Sequence, residues 1–241
     1  MILNLESSTA CCSAALTDEG QILEERIERE GMNHARLLAP FADDCMAYLR
    51  SREGHLDAVA VSIGPGSYTG LRIGLSLAKG LCMGMNVPLI GIPTLQILAV
   101  KAMFKSFDWE GDELLVPMLD ARRMEVYTAV YNFRLEALEE PHPLILEADS
   151  FKKYLDAGKK LIFIGEGAAK YEQLLPASGQ VVYMPEIIPT AAGMMALSEK
   201  YLREGRFLDT AYSVPDYLKD FQATVPKNRV IEEARGGNVG K

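Results

Sequence analysis

Ser62-Ile63-Gly64-Pro65-Gly66-Ser67-Tyr68-Thr69-Gly70-Leu71-Arg72-Ile73-Gly74 is the stretch on which the reading of this chain turns. The residues leading into it, Leu56 to Ile63, form an apolar run rich in β-branched members and predict a buried strand. Leu71 onward has the composition of a helix. Between them lies a glycine-rich turn with Pro65 inside it. Such a strand–turn–helix junction presents backbone N–H groups to whatever lies above it, whether a phosphate, a carboxylate or another part of the chain. It matches neither G-x-x-x-x-G-K-[ST] nor G-x-G-x-x-G.

Outward from this turn the chain reads as alternating strands and helices. Toward the N-terminus, Met1 to Glu6 is a short strand ending in a carboxylate, and Ser7-Ser8-Thr9 is a turn of hydroxyl residues. Cys11 to Thr17 and Gln21 to Ile27 form a hairpin about Asp18-Glu19-Gly20. Glu24, Glu25, Glu28 and Glu30 predict a solvated edge. Asn33 reads as the N-cap of a helix from His34 to about Ser51, kinked or restarted at Pro40. Toward the C-terminus, a helix reaches about Met85, Pro88 to Ile92 is a strand, and Thr94 caps a further helix, Leu95 to Met103.

The order then repeats. Strands are expected at Leu114 to Leu119 before Asp120, Glu125 to Tyr131, a weaker one near Pro143 to Leu146, Lys160 to Ile164 and Val181 to Met184. Ser150 is expected to cap a short helix reaching Ala157, and further helices are expected near Ala169 to Leu175 and over Ala191 to Glu204. Gly165-Glu166-Gly167-Ala168 mirrors the first glycine turn, and Asp120 closes its strand as Glu6 closes the first. Two β-β-β-α-β-α units in tandem predict a duplicated α/β fold, with subdomains 1–105 and 106–220 and an aperiodic tail, 221–241, expected to be disordered or partner-dependent.

Composition bounds the function. The 241 residues, 49% apolar, are those of an ordinary globular chain, and no run approaches a membrane span. The first residues lack the regions of a signal peptide, so a cytoplasmic protein is expected. Cys11, Cys12, Cys45 and Cys82 form no C-x-x-C pair and read as reduced core residues. A net charge of −8 disfavours binding nucleic acid unaided, because phosphate contacts need a basic face.

Read as one string, the glycine stretch resembles the signature of the TsaB (YeaZ) family, the smaller paralogues of TsaD. Three other segments resemble it in the right order. Ile2-Leu3-Asn4-Leu5-Glu6-Ser7-Ser8-Thr9 matches the opening strand and turn, with Glu6 where the family usually has Asp. Asp120-Ala121-Arg122-Arg123-Met124-Glu125-Val126-Tyr127 matches Asp-Ala-Arg-x-x-Glu-Val-Tyr. Pro215-Asp216-Tyr217-Leu218-Lys219 is similar to a closing Pro-x-Tyr-x-Arg, with lysine in place of arginine. His34-Ala35-Arg36-Leu37-Leu38-Ala39-Pro40 also resembles a family segment, with a shift before Pro40. The resemblance implies an actin/hexokinase-like (ribonuclease H-like) ATPase fold. It also implies a role in making threonylcarbamoyladenosine (t6A) in tRNA, as a non-catalytic partner of a TsaD-type transferase, with a TsaE-type ATPase assisting and tRNA reached only through the complex.

The chemistry-bearing residues are few. His34, His55 and His142 are far apart in sequence, with no H-x-x-x-H, so no metal site and no peptidase site is expected, and an ordinary surface or capping role is expected of each histidine. No G-x-S-x-G elbow is present. Actin-like ATPases place a carboxylate after the first strand of each half, where Glu6 and Asp120 stand here; alternatively Asp120 bonds Arg122 or caps a turn. By that resemblance, an ATP or ADP shared with a partner would lie against Glu6, Ser7, Gly64, Gly66, Ser67 and Asp120. A stand-alone small-molecule kinase or ATPase of the same fold is the rival reading.

The helix from Leu71 is apolar in nearly all directions apart from Arg72, Ser76 and Lys79, and a helix of that kind must be covered on more than one side. The preceding helix also carries two apolar stripes. Gly70, Gly74 and Ala78 recur every four residues and invite another helix. A subunit contact through Leu37, Phe41, Leu71, Leu75, Ala78 and Cys82 is therefore expected. The resemblance adds that such proteins pair through these helices, with themselves or with TsaD.

Overall fold

The computed structural model describes residues 1–29, 31, 33–105 and 108–218; the expectations for Glu30, Lys219 and the tail 221–241 fall outside the described residues. Strands β1 (Ile2–Glu6), β2 (Cys12–Asp18) and β3 (Gln21–Glu28) open the chain, followed by α1 (His34–Ser51), β4 (Ala58–Gly64), α2 (Tyr68–Met85), β5 (Leu89–Pro93) and α3 (Thr94–Met103). The second half repeats the order with β6 (Leu114–Asp120), β7 (Glu125–Tyr131), β8 (Ala137–Ile145), α4 (Lys152–Asp156), β9 (Leu161–Ile164), α5 (Ala168–Glu172), β10 (Val181–Met184) and α6 (Met195–Arg203), the last preceded by a 3-10 turn, Ala192–Met194.

The two halves build sheets of identical topology, β3-β2-β1-β4-β5 and β8-β7-β6-β9-β10. In each, a central strand is antiparallel to its hairpin partner and parallel to the next strand: β1 pairs Glu6 with Ser13 and Leu5 with Val61, and β6 pairs Asp120 with Val126 and Pro117 with Ile164. This is the duplicated α/β fold of the actin-like class. The buried, β-branched β4 (Val59, Val61) is what a strand covered on both faces requires. Helices α1 and α2 cover one face of the first sheet through Leu38, Cys45, Leu49, Leu75 and Ala78. Its other face takes Ile97 and Val100 of α3 and Leu197 and Tyr201 of α6. Helix α3 also turns Leu95, Leu98 and Ala102 onto Leu115 and Ile162 of the second sheet. It is thus sandwiched between sheets, which explains an apolar sequence with one lysine.

Several helix boundaries differ from the sequence reading. Ser67, not Leu71, starts α2, its hydroxyl accepting from the Gly70 N–H at 3.2 Å, and Asn86 ends it in a left-handed conformation. Asn33 stands at the N-cap of α1, but its carbonyl rather than its side chain takes the free N–H groups of Arg36 and Leu37. Pro40 lies within α1 without interrupting it. Thr94 is the first residue of α3 rather than its cap, with its hydroxyl buried and unpaired. Ser150 accepts the Glu147 N–H instead of capping α4. Strand β8 begins six residues before the expected Pro143, since an edge strand tolerates Pro141 and Pro143.

The expected subunit contact needs correction. Leu71, Leu75, Ala78 and Cys82 are at most 4% exposed, and Leu75, Ala78 and Cys82 belong to the chain's own core against the first sheet. Leu37 and Phe41 are half-buried at the edge of the same cluster. The recurrence of Gly70, Gly74 and Ala78 serves this interior. The extra cover that α2 needs comes from α1 and from the segment 208–217, whose Leu208 N–H bonds Leu89 O at 2.8 Å beside the edge strand β5.

Candidate functional site

The ends of β1 and β4 lie side by side, so the loops that follow them meet. Ser67 donates its N–H to Ser8 O at 2.6 Å, and Ser7 donates its hydroxyl to Gly70 O at 2.9 Å. A Cβ on Gly66 would strike Ser8 O, one on Gly70 would strike Ser7 O, and one on Gly74 would strike Ser7 Oγ, each far inside contact distance. The glycines of the signature therefore admit the Ser7-Ser8 turn. Gly64, at φ +122, is approached from another side by Asp216 O, and Asp216 donates its N–H to Ile63 O at 2.7 Å. The Gly64–Pro65 peptide is cis.

Glu6 closes β1 and is fully buried. Its Oε1 accepts the Ser8 N–H at 2.6 Å and the Ser62 hydroxyl at 3.1 Å, while Oε2 has no hydrogen-bond partner among the described residues. Burial pushes its carboxyl above the usual range, and the opposing pull of the Ser8, Ser62 and Ser7 groups does not cancel that. Glu6, Ser7, Gly64, Gly66 and Ser67, named as a set from the sequence, lie around the same two loops, and the polar groups of Glu6, Ser7 and Ser67 are bonded to Ser8, Ser62 and Gly70 of those loops.

Asp120, at the matching place in the second sheet, is half-exposed and held differently. It accepts the Arg122 N–H at 2.5 Å and pairs with Lys170 of α5 at 2.7 Å. Burial works to raise its carboxyl, but Lys170 and the Arg122 N–H outweigh it and hold it below the usual range. The turn-forming alternative for Asp120 is the one the structure has. The second glycine turn behaves like the first: a Cβ on Gly165 would lie 2.7 Å from Met118 O, and Gly167 donates its N–H to that same carbonyl.

The histidines stay apart. His34 is buried, against the surface or capping role expected of it, with a ring nitrogen 3.3 Å from Cys11 O. His55 is exposed beside Asp57, and His142 lies against Glu139 and Glu140. Among the described residues no group of three or more His, Cys, Asp or Glu is gathered as a metal site. All four cysteines are buried, and burial pushes the Cys11 thiol up to about 11 and Cys12 to about 12, away from thiolate chemistry. No described helix is long and apolar enough to cross a membrane.

Sequence reasoning missed two features. One is a groove of about 540 Å³ between α1 and α2, floored by Ala42, Met46, Leu49, Leu77, Leu81 and Met85, with Arg50 pairing Asp43 at its rim at 3.1 Å. The apolar stripes of α1 and α2 signal it, but a stripe alone does not tell which of its residues lie deep and which line the outside. The other is the strap 208–217 along α2, which has no periodicity to announce it.

The family described as TsaD, tRNA N6-adenosine threonylcarbamoyltransferase, matches residues 22–227. The chain is 27% identical over 223 residues to the tRNA threonylcarbamoyladenosine biosynthesis protein TsaB of Escherichia coli, covering 91% of this chain and 94% of that one. It is 28% identical over 223 residues to TsaB of Bacillus subtilis, covering 90% and 93%. The structure of YeaZ from Pseudomonas aeruginosa superposes with a TM-score of 0.74 at 27% identity, covering 90% of this chain and 99% of that one. Sequence and fold agree, and the chain belongs to the TsaB (YeaZ) family of TsaD-like proteins.

Proposed function

We propose that this chain takes part in t6A biosynthesis as a non-catalytic subunit that binds and stabilises a TsaD-type transferase. The observation that carries the reading is the match, over nine-tenths of both chains, to relatives named as TsaB. The geometry supports it. The β1 and β4 loops, where an actin-like enzyme would hold phosphate, are bonded to each other, and Asp120 is engaged by Lys170. The open groove between α1 and α2 supplies the contact surface in place of the buried stripe. There Leu77 and Leu81 are half-buried and Met85 is 40% exposed. In the absence of the transferase the same face pairs two copies of this chain. A TsaE-type ATPase joins the assembly, tRNA is met only through it, and the assembly is cytoplasmic. Any ATP or ADP lies at the boundary between the subunits, over Glu6, Ser7 and the glycine turn.

The test is co-purification of the chain with the TsaD-type protein of the same organism, for wild type, Leu81→Glu and Met85→Glu. Loss of capture and of t6A in tRNA with fold retained is the expected result; undisturbed capture by both variants overturns the groove as the contact. Phosphate release from ATP by the lone chain, unchanged on adding the transferase, would instead favour the stand-alone ATPase.

A further inference from the structure

The closing motif Pro215-Asp216-Tyr217 has so far no role beyond covering α2, yet it ends on the signature stretch itself. Tyr217 packs on Tyr68 with ring centroids 4.9 Å apart, and its hydroxyl accepts from Arg72 Nε at 3.0 Å. The Arg72 guanidinium lies over the Tyr68 ring at 4.1 Å and within 6.0 Å of the Tyr217 ring. Two helical turns on, Lys79 donates to Ala211 O at 3.1 Å and Ser213 O at 2.7 Å, which fixes the strap backbone. The strap side chains between these anchors point away: Tyr212 is 85% exposed and Val214 70%, and Met83, one turn beyond Lys79 on α2, is 74% exposed.

Arg72 and Lys79 have no carboxylate partner among the described residues. The ion pairs among the described residues are made by other cations, and the groups acting on Arg72 are the two tyrosines. In a chain of net charge −8, a stretch of α2 with two cations and no carboxylate partner stands against the background. Arg72 is held in one rotamer by stacking and one hydrogen bond, so little side-chain entropy remains to be lost when a carboxylate meets its remaining N–H groups. Exposed aromatic and aliphatic side chains beside a fixed arginine are the composition of an interface centre.

We propose that Arg72, Tyr212, Val214 and Met83 form a docking surface for an acidic protein segment, a carboxylate pairing with Arg72 and apolar side chains covering Val214 and Tyr212. RNA fits less well: a backbone contact needs several cations in a row, which this stretch of α2 does not supply. The occupant is a segment of the transferase subunit, so the inference rests on the partner reading above, but it uses the side of α2 away from the α1–α2 groove.

The experiment measures binding of the full chain to the TsaD-type subunit by calorimetry at low and high salt, with direct tRNA binding in parallel. Arg72→Glu is expected to weaken capture tenfold or more and to remove most of the salt dependence, with Arg72→Lys in between. Val214→Asp, on a side chain already exposed, carries the same expectation and keeps the test valid if Arg72→Glu loosens the strap. Unchanged capture by Arg72→Glu and Val214→Asp, with Met85→Glu still losing it, overturns this surface and leaves the partner reading intact. Unchanged capture by all three overturns this surface and the groove contact alike, whereas failure of the wild-type chain to capture the subunit overturns the partner reading itself. Loss of tRNA binding by Arg72→Glu with capture unchanged makes the surface an RNA contact and overturns the proposal.

Discussion

The Ser67 N–H donates to the carbonyl of Ser8 at 2.6 Å, across 59 positions of sequence, and this bond ties the loop after β1 to the loop after β4. Three of the signature's four glycines, Gly66, Gly70 and Gly74, thus answer to a turn elsewhere in the chain. What looks like a cradle for a ligand is first a socket for Ser7 and Ser8.

The socket makes a differential prediction for glycines of one helix. At Gly70 a methyl group would collide with Ser7 O, which is backbone and has nowhere to move. At Gly80, on the same helix, a methyl group meets nothing within 4 Å. Gly70→Ala should therefore cost about 1–3 kcal/mol or more, the range of an overpacked interior. Gly80→Ala should gain up to about 1 kcal/mol from helix propensity alone. Urea denaturation midpoints decide it; equal midpoints for the two variants would show that the loops are not tied.

Glu6 predicts a pH dependence. Its folded carboxyl titrates above the unfolded one because it is buried, so between the two values the folded state holds a proton that the unfolded state has lost. Stability contributed by this group is therefore fully present below the unfolded value, near about 4.3, and falls as pH rises through the folded value. Glu6→Gln cannot ionise and keeps an acceptor for Ser8 N–H and Ser62. Its stability relative to wild type should rise between acid and mildly alkaline pH. A difference constant with pH in chemical denaturation would contradict a folded carboxyl raised by burial.

Asp120 predicts the opposite sign. Lys170 and the Arg122 N–H hold its folded carboxyl low, so its contribution is present above the unfolded value and is lost as pH falls through the folded one. The pair is partly exposed, which limits it to about 0–1 kcal/mol. Asp120→Asn should lose that much at neutral pH and nothing at strongly acid pH. A much larger loss of t6A synthesis than of stability would instead give Asp120 a direct part in the complex.

How far the sequence is legible depends on whether a residue's environment is local. The hairpins, the repeat and β7, β9 and β10 follow from short apolar, β-branched runs bounded by turn residues. The strand β8 hides behind Glu139, Pro141 and Pro143, because an edge strand need not be apolar. Glu6, Ser7, Gly64, Gly66 and Ser67 were recognisable as one set. That the Glu6-Ser7-Ser8 turn bonds Ser62, Ser67 and Gly70 is set by the β1–β4 pairing of Leu5 with Val61, which no local pattern encodes. The direction of α2 was misjudged for the same reason. An all-apolar helix states how much cover it needs, but not that Leu208 and Pro215 of a distant strap supply part of it.

That misjudgement reverses one expectation and sharpens another. If Ala78 lined a subunit contact, Ala78→Glu would leave a folded monomer, since water reaches the carboxylate once the subunits part. Ala78 is instead fully buried between α2 and the first sheet, among Leu75, Cys82 and the strand residues Leu5 and Val61. A carboxylate there cannot reach water without lifting the helix, and an unpaired buried charge costs several kcal/mol. A domain has about 5–15 kcal/mol in all, so Ala78→Glu should abolish or severely weaken the fold. Ser76→Glu, two residues away on the exposed side of the same helix, should leave the midpoint within about 0.5 kcal/mol of wild type. Met85→Glu, at the lip of the groove, should also fold, yet fail to self-associate by light scattering. A soluble Ala78→Glu with a near-normal midpoint and no dimer would restore the buried stripe as the contact and require α2 to turn its inner face outward.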